Sequence, residues 1–383
     1  MQKLNLSLFL CMLIFCINLE AYTPIKKYCP SCESIDAQNS PAPFLIYRGG
    51  PIVSSPKIIN VLWGPNVNPE VINQMPQFLK DLVTSEWILG LTEYNTAGRP
   101  APTTNQLIDF GKFMGQFEIT PFNTNTSITD NDIQNELTAQ LNAGTLPHPQ
   151  YDNQGFLESI YIIEFPPNIT ISAFGEQSCV DFCAYHGSMF YKNKPIMYAV
   201  QPDLTVAGCN TGCGSGTLIQ NQDSVHSHEL AEAITDPEVS FNKLAWYDDN
   251  YGEIGDICNQ QHGTAVLNGN TYTVQKEWSN IKRLCETILP FLTSPSHFTG
   301  KVTKQKHGTK TTYSHVLTWN PSPDHSVAGY RIVVGNKVAA NIPAKGPYKV
   351  TFTNRNPKLH YTYNLVAFSA DGSQSKFLSV TLP

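Results

Sequence analysis

The chain has 383 residues, 25 Lys and Arg against 31 Asp and Glu for a net charge of −6, 15% charged and 41% hydrophobic residues, 25 Gly and 27 Pro. At about 150 residues per domain this composition fills two or three folded domains and excludes a disordered or fibrous chain. The acidic balance, without any Lys/Arg block to neutralise phosphates, argues against nucleic acid as a partner.

Residues 1–21 carry Lys3, an apolar run from Leu8 to Ile17 and a small residue, Ala21, at the end. The run is too short to span a bilayer and has the layout of a cleaved secretory signal peptide. A lipoprotein acceptor at Cys11 or Cys16 is the competing reading, opposed by Phe15 where a small residue should precede the cysteine. No later stretch is long and apolar enough to span a membrane, so a secreted, extracellular protein that is not membrane-embedded is expected. Residues 22–46 form a cysteine-containing N-terminal segment rich in Pro and Ser.

Removing Cys11 and Cys16 from ten cysteines leaves Cys29, Cys32, Cys179, Cys183, Cys209, Cys213, Cys258 and Cys285. An even set in an exported chain reads as disulfides, with Cys258 to Cys285 suggested by proximity. The two Cys-x-x-x-Cys pairs could instead form a thiolate zinc site. Cys29 and Cys32 read as a local staple rather than a redox pair, because no thioredoxin-like strand precedes them.

The folded region begins near Tyr47. Lys57 to Trp63, Ser159 to Phe165 and Pro195 to Val200 are short apolar runs bounded by Pro or Gly, hence buried strands. Pro69 to Thr84 and Asp130 to Leu141 have helical apolar spacing, the second with Thr129 as cap. Gln222 to Thr235 is a further helix, ended by Asp236-Pro237. Val266 to Val274 is a hairpin turning at Asn268-Gly269. The expectation for residues 47–292 is an α+β domain, zincin-like or a related sheet with helices.

From Ser294 to Pro383 short alternating strands replace this texture, the pattern of an all-β sandwich. Leu317 to Ser322 and Val327 to Ile332 resemble strands B and C of a fibronectin type III module. Tyr361, Tyr363, Leu365 and Ala367, with the turn Asp371-Gly372-Ser373, resemble its strand F. The resemblance makes Trp319 the core tryptophan and Tyr361 the corner tyrosine.

His228-Glu229-Leu230-Ala231-Glu232 is the run that could carry chemistry. His228 and Glu232 stand four apart on one helical face, with Asp236 one turn further on. A zincin needs two ligands at that spacing and a glutamate beside the first as general base, the position of Glu229. Glu232 stands where a second histidine is usual; a carboxylate binds zinc but makes the bound water less acidic. His186, Asp236 and Asp256 are the candidates for the third ligand. Asp248, Asn250 and Gly252 start like a calcium loop but lack its twelfth-position glutamate, leaving calcium as an alternative ion. The bland alternative is an amphipathic helix whose acidic residues face water.

Gly49-Gly50-Pro51, Leu62-Trp63-Gly64, Cys183 to Gly187, the Cys209/Cys213 pair and His228 to Pro237 resemble the phosphate-induced, EXORDIUM-like secreted proteins of plants. The match is closer to bacterial exported relatives, in which Gly-Glu-Ile-Gly-Asp-Ile-Cys and Val-Gln-Lys-Glu-Trp-Ser-Asn recur. It covers about Tyr47 to Cys285 and implies a link to cell-wall growth responses, without a catalytic activity or a ligand set. Two functions stand side by side. One is a zinc-dependent hydrolase, most simply a peptidase, acting on an extracellular protein or polysaccharide. The other is a non-catalytic glycan- or cell-surface-binding protein. A glycosidase built on Glu229 and Glu232 is weaker, since residues three apart on one helix do not flank a glycosidic bond.

Overall fold

A computed structural model describes residues 42–383 apart from 242, 336 and 371. The expected signal peptide, most of the segment 22–46 with Cys29 and Cys32, and Asp371 lie outside the described residues. The fold mixes α and β with several sheets.

Its centre is a five-stranded sheet built from β1 (Lys57–Leu62), β2 (Lys112–Glu118), β3 (Ser159–Glu164), β4 (Tyr185–Tyr191) and β5 (Lys194–Gln201). The strand order is β2-β1-β3-β5-β4. β1 runs parallel to β2 and β3, and β3 parallel to β5, while β4 is an antiparallel edge strand on β5. Helices cover both faces, which is why β1, β3 and β5 read as continuous apolar runs. Ile58, Leu62, Ile160, Ile162 and Met197 pack with α1 (Pro69–Thr84) and α3 (Leu218–Thr235). Ile59, Val61, Tyr161 and Ile163 pack on the other face with Ile133, Leu137 and Leu141 of α2 (Asp130–Ala143).

The helix boundaries follow from their caps. α1 starts where Asn68 accepts from the Glu70 amide and Pro69 supplies a pre-set φ. α2 starts at a capping box, Thr129 with Asp132. α3 starts four residues before the expected Gln222, because Thr217 and Gln220 form a second capping box. β6 (His262–Leu267) and β7 (Asn270–Gln275) form the expected hairpin, with positive φ at Asn268 and Gly269, the angles a tight hairpin turn requires. β8 (Glu277–Ser279) pairs antiparallel with β9 (Leu284–Glu286).

Three disulfides join Cys179 to Cys209, Cys183 to Cys213 and Cys258 to Cys285. The first two correct the thiolate zinc alternative: each Cys-x-x-x-Cys pair is spent on bonds to the other. They fit an oxidising compartment. No helix among the described residues is long and apolar enough to cross a membrane.

Seven strands follow: β10 (Ser296–His307), β11 (Lys310–Asn320), β12 (Val327–Val334), β13 (Lys337–Pro343), β14 (Lys349–Phe352), β15 (Tyr361–Ser369) and β16 (Leu378–Leu382). They make two antiparallel sheets, β10-β11-β14 and β13-β12-β15-β16, around Leu317, Trp319, Tyr330, Ile332, Tyr363 and Leu365. Leu292 belongs to this core, and its amide donates to Gln374.

Candidate metal centre

α3 crosses the α1 face of the sheet and is buried along every side from Asn221 to Thr235. This overturns the picture of acidic residues facing water. On such a helix each polar side chain must find a partner inside the protein or bear a desolvation cost. His226 does so towards the sheet, where its Nε2 lies 2.7 Å from Glu164 Oε1 and its Nδ1 lies 2.8 Å from the Gln222 carbonyl.

His228, Glu229 and Glu232 face two other elements. The segment Cys183 to Gly187 leads into the edge strand β4 and places His186 against the helix. The loop after Tyr251 brings Glu253 and Asp256 in from the opposite side; the Asp256 amide donates to Glu232 Oε1 at 3.0 Å. Gly255 is required there, since a Cβ would lie 2.6 Å from His228 Nδ1 and 3.0 Å from Glu232 Oε1. The Cys258–Cys285 bond and the amide of Trp278, which donates to Ile254, hold the loop down.

Glu232 is the hub. Its Oε1 lies 3.3 Å from His228 Nε2, and its Oε2 lies 3.5 Å from His186 Nδ1. His186 Nδ1 is also 3.3 Å from Glu229 Oε2, and its Nε2 is 3.5 Å from Glu253 Oε1. Two groupings therefore have ligand atoms close enough for a cation: His186, Glu232 and Glu253, and His228, Glu232 and Asp256. All five of these positions and Glu229 are buried except Asp256, which is half-buried. Two ligands on one zinc ion, with bonds of about 2.1 Å, sit roughly 3.4 Å apart in a tetrahedral site, close to the separations seen here.

The donor set fits a metal. His186 Nε2, Glu229 Oε1, Glu232 Oε2 and both oxygens of Glu253 are buried without a hydrogen-bond partner, a pattern that native interiors seldom leave unexplained. Gln275 tunes the second histidine: its Nε2 donates to His228 Nδ1 at 2.7 Å and to the Gly255 carbonyl at 2.9 Å. A metal on His228 Nε2 needs the Nδ1–H tautomer, and the Gln275 amide would then turn its oxygen to that proton.

The electrostatics of these groups show the same demand for positive charge. Burial alone would lower both histidines, yet Glu253 with Glu229 and Glu232 holds His186 well above the usual range, and Glu232 foremost raises His228 to about 10. Burial works against the Glu232 charge, but His228 and His186 keep its carboxyl down at about 2. Burial pushes Glu253 up to about 8 and raises Glu229. It also drives Asp236 and Glu277 well above the carboxylate range.

The remaining site residues have other places. Asp236 caps the end of α3, and its Oδ1 accepts from the Ala245 amide at 2.7 Å; it belongs to neither grouping. His186 is a ligand candidate of the grouping with Glu232 and Glu253, not a third ligand beside His228 and Glu232. Asp248, first residue of the calcium-like run, spends Oδ1 on the amides of Asn250 and Tyr251 and Oδ2 on that of Phe44. Glu253 and Glu277 went unread as site residues. The one signal for Glu253 is an acid between Gly252 and Ile254-Gly255 in the loop already rich in ligand-type side chains.

No protein-family model and no curated protein matches the sequence. Among solved structures, the spore cortex lytic enzyme SleM of Clostridium perfringens is 22% identical over 23% of this chain and 28% of its own length, with a TM-score of 0.18. The central fibronectin-III array of RIM-binding protein is 11% identical over 23% of this chain and 35% of that one, with a TM-score of 0.18. Catalytically inactive OgpA from Akkermansia muciniphila, in complex with an O-glycopeptide, is 9% identical over 91% of this chain and 96% of its own, with a TM-score of 0.20. Likenesses this slight carry no argument about fold or function.

Proposed function

We propose that the chain is a secreted metal-dependent hydrolase, most simply a peptidase, with a zinc ion on His228, Glu232 and Asp256 and with Glu229 as general base. One observation carries this reading: Glu232, buried and four residues after His228, has a histidine against each of its two oxygens. A bound divalent cation would supply Lewis acidity, polarising a carbonyl and making water more acidic. Glu229 supplies the base. Its Oε2 is held by His186 while Oε1 has no hydrogen-bond partner, and burial raises its pKa, which makes the carboxylate a stronger proton acceptor than an exposed one. The antiparallel edge strand β4 beside α3 and the mostly parallel sheet beneath it also support a zincin-like reading. The resemblance to exported EXORDIUM-like proteins and the three disulfides support secretion.

Burial of the ligands favours a second reading. His186, His228, Glu232 and Glu253 are each 0% exposed, whereas a hydrolytic site keeps one metal position open to water and substrate. In that reading the ion ties α3 to the 253–256 loop, and the protein is a non-catalytic binder of glycans or cell surfaces.

Glu229→Gln and Glu232→Gln, compared with the parent for metal content and for hydrolysis of a broad peptide library, separate the two. A hydrolase predicts that the Glu229 variant keeps its metal and loses about 100-fold or more in rate, while the Glu232 variant loses metal. Metal retained in the parent and the Glu229 variant with no hydrolysis in either leaves the binding reading.

A further inference from the structure

We propose that Glu232 bridges two divalent cations, one on the His228–Asp256 side and one on the His186–Glu253 side. This deepens the metal reading above and rests on it. Each oxygen of Glu232 faces a different histidine ring, Oε1 that of His228, with Nε2 at 3.3 Å, and Oε2 that of His186, with Nδ1 at 3.5 Å, and one ligand atom each of His186, Glu232 and Glu253 lie within 4.8 Å of one another. The two groupings of candidate ligands share Glu232 alone, and among the described residues no grouping within 4.8 Å contains both histidines. With bonds of about 2.1 Å, one ion cannot hold ligands more than about 4.2 Å apart. A single ion therefore serves one side of Glu232 and leaves the other.

The side left over is poorly satisfied by hydrogen bonds in this arrangement. His186 Nε2 and Glu253 Oε1 are 3.5 Å apart, and Nε2 and both Glu253 oxygens are buried without a hydrogen-bond partner. Glu229 Oε2 faces Nδ1 of the same ring at 3.3 Å, so it can accept the Nδ1 proton and leave the Nε2 lone pair directed at Glu253. A carboxylate behind a histidine in this way is how metal-binding imidazoles are oriented. In this site Glu229 is thus a positioning residue through Oε2 as well as the base through Oε1.

Charge leads to the same number of ions. Six carboxyl groups, Glu229, Glu232, Asp236, Glu253, Asp256 and Glu277, converge on two histidines. In so buried a cluster two divalent cations offset more of the charge these carboxyls would carry than one does. Carboxylate-bridged pairs of ions about 3.5–4 Å apart are the usual form of two-metal hydrolytic sites. The class of ligand is a pair of borderline divalent ions such as zinc, manganese or cobalt, as mixed imidazole and carboxylate donors imply.

The test is cobalt(II) titration of the full chain, produced in an oxidising compartment and stripped with a chelator, read by plasma emission and electron paramagnetic resonance. The proposal expects two cobalt ions per chain and a resonance signal that grows with the first equivalent and collapses with the second, as spins couple through the shared carboxylate. His186→Asn and Glu253→Gln should each bind one ion with an uncoupled signal. Saturation of the parent at one ion overturns the proposal, as do two ions that never couple. The parent's stoichiometry and coupling decide the matter even if a variant fails to fold. Two coupled ions with no hydrolysis of the peptide library would keep the bridge and sink the hydrolase; one ion with hydrolysis would do the reverse.

Discussion

Gly255→Ala tests the packing of the centre without touching a ligand. Gly255 has φ −80° and ψ −38°, right-handed values that alanine adopts freely, so the cost is that of the methyl group alone. That methyl would stand 2.6 Å from His228 Nδ1, 2.9 Å from its Cε1 and 3.0 Å from Glu232 Oε1. Ordinary contact is about 3.5 Å, so the imidazole must retreat by roughly 0.9 Å, and Gln275 Nε2 at 2.7 Å stands on the same edge of the ring. Overpacking of this kind costs about 1–3 kcal/mol. For a body of this size each kcal/mol lowers the thermal midpoint by roughly 2–4 °C, so a fall of about 2–12 °C is expected. The displaced ring should also weaken metal binding by about 10–100-fold, the usual effect of disturbing a ligand's support. Scanning calorimetry and competition against a chromophoric chelator measure the two effects. A midpoint within about 1 °C of the parent and an affinity within about threefold would refute the reasoning, since both lie well under these ranges.

Three further outcomes follow from other parts of the fold. Replacing Cys183 and Cys213 by serine unties the start of β4 from the segment before α3, and should cost about 2–5 kcal/mol and lower metal content; normal metal loading in a destabilised variant would show that the bond does not position His186. Burial pushes the Asp223 carboxyl up to about 7, so between about pH 4 and 7 the native state keeps a proton that the unfolded chain has lost, and stability falls as pH rises through that window. Asp223→Asn should remove that part of the fall, seen as a smaller difference between midpoints at pH 4.5 and 7.5; an unchanged difference counts against it. Leu292 is 6% exposed within the sandwich core, so a fragment beginning at 291 should be more stable than one beginning at 294 by about 1.5–3 kcal/mol in denaturant, and equal stability would place Leu292 outside that core.

Elements whose signals are local were legible in the sequence. α1 matches its expected span, because Pro69 suits a first turn and Val71, Met75, Phe78, Leu79 and Leu82 fall on the buried stripe. The hairpin at Asn268-Gly269 was fixed by backbone chemistry, and the buried runs of β1, β3 and β5 by their continuous apolar character. β2 escaped notice because most of its residues are half-buried, and β4 because its Tyr185-His186-Gly187 start, just after Cys183-Ala184, has the composition of a turn until β5 is present to pair with it. The site divides in the same way. The one-face spacing of His228 and Glu232 is a property of any helix, whereas Glu253 and Glu277 become part of the cluster only when a loop and a short strand fold across α3.

What unites the cluster is the conflict between its composition and its burial. A helix carrying His226, His228, Glu229 and Glu232 would ordinarily turn those residues to water, yet α3 is enclosed on all sides. The sheet takes His226 through Glu164, and the other three are left facing β4 and the 253–256 loop, themselves pinned by disulfides. Buried carboxyls there have two ways to shed charge: keep protons, as the raised values of Glu229, Glu253, Asp236 and Glu277 express, or share cations. The two compete for the same oxygen atoms, because a carboxylate must lose its proton to bind a metal. Proton retention leaves His186 Nε2 and Glu253 without good hydrogen-bond geometry, whereas a cation satisfies them together, and that difference is the physical basis for reading α3 as a metal-binding helix rather than as an ordinary piece of core.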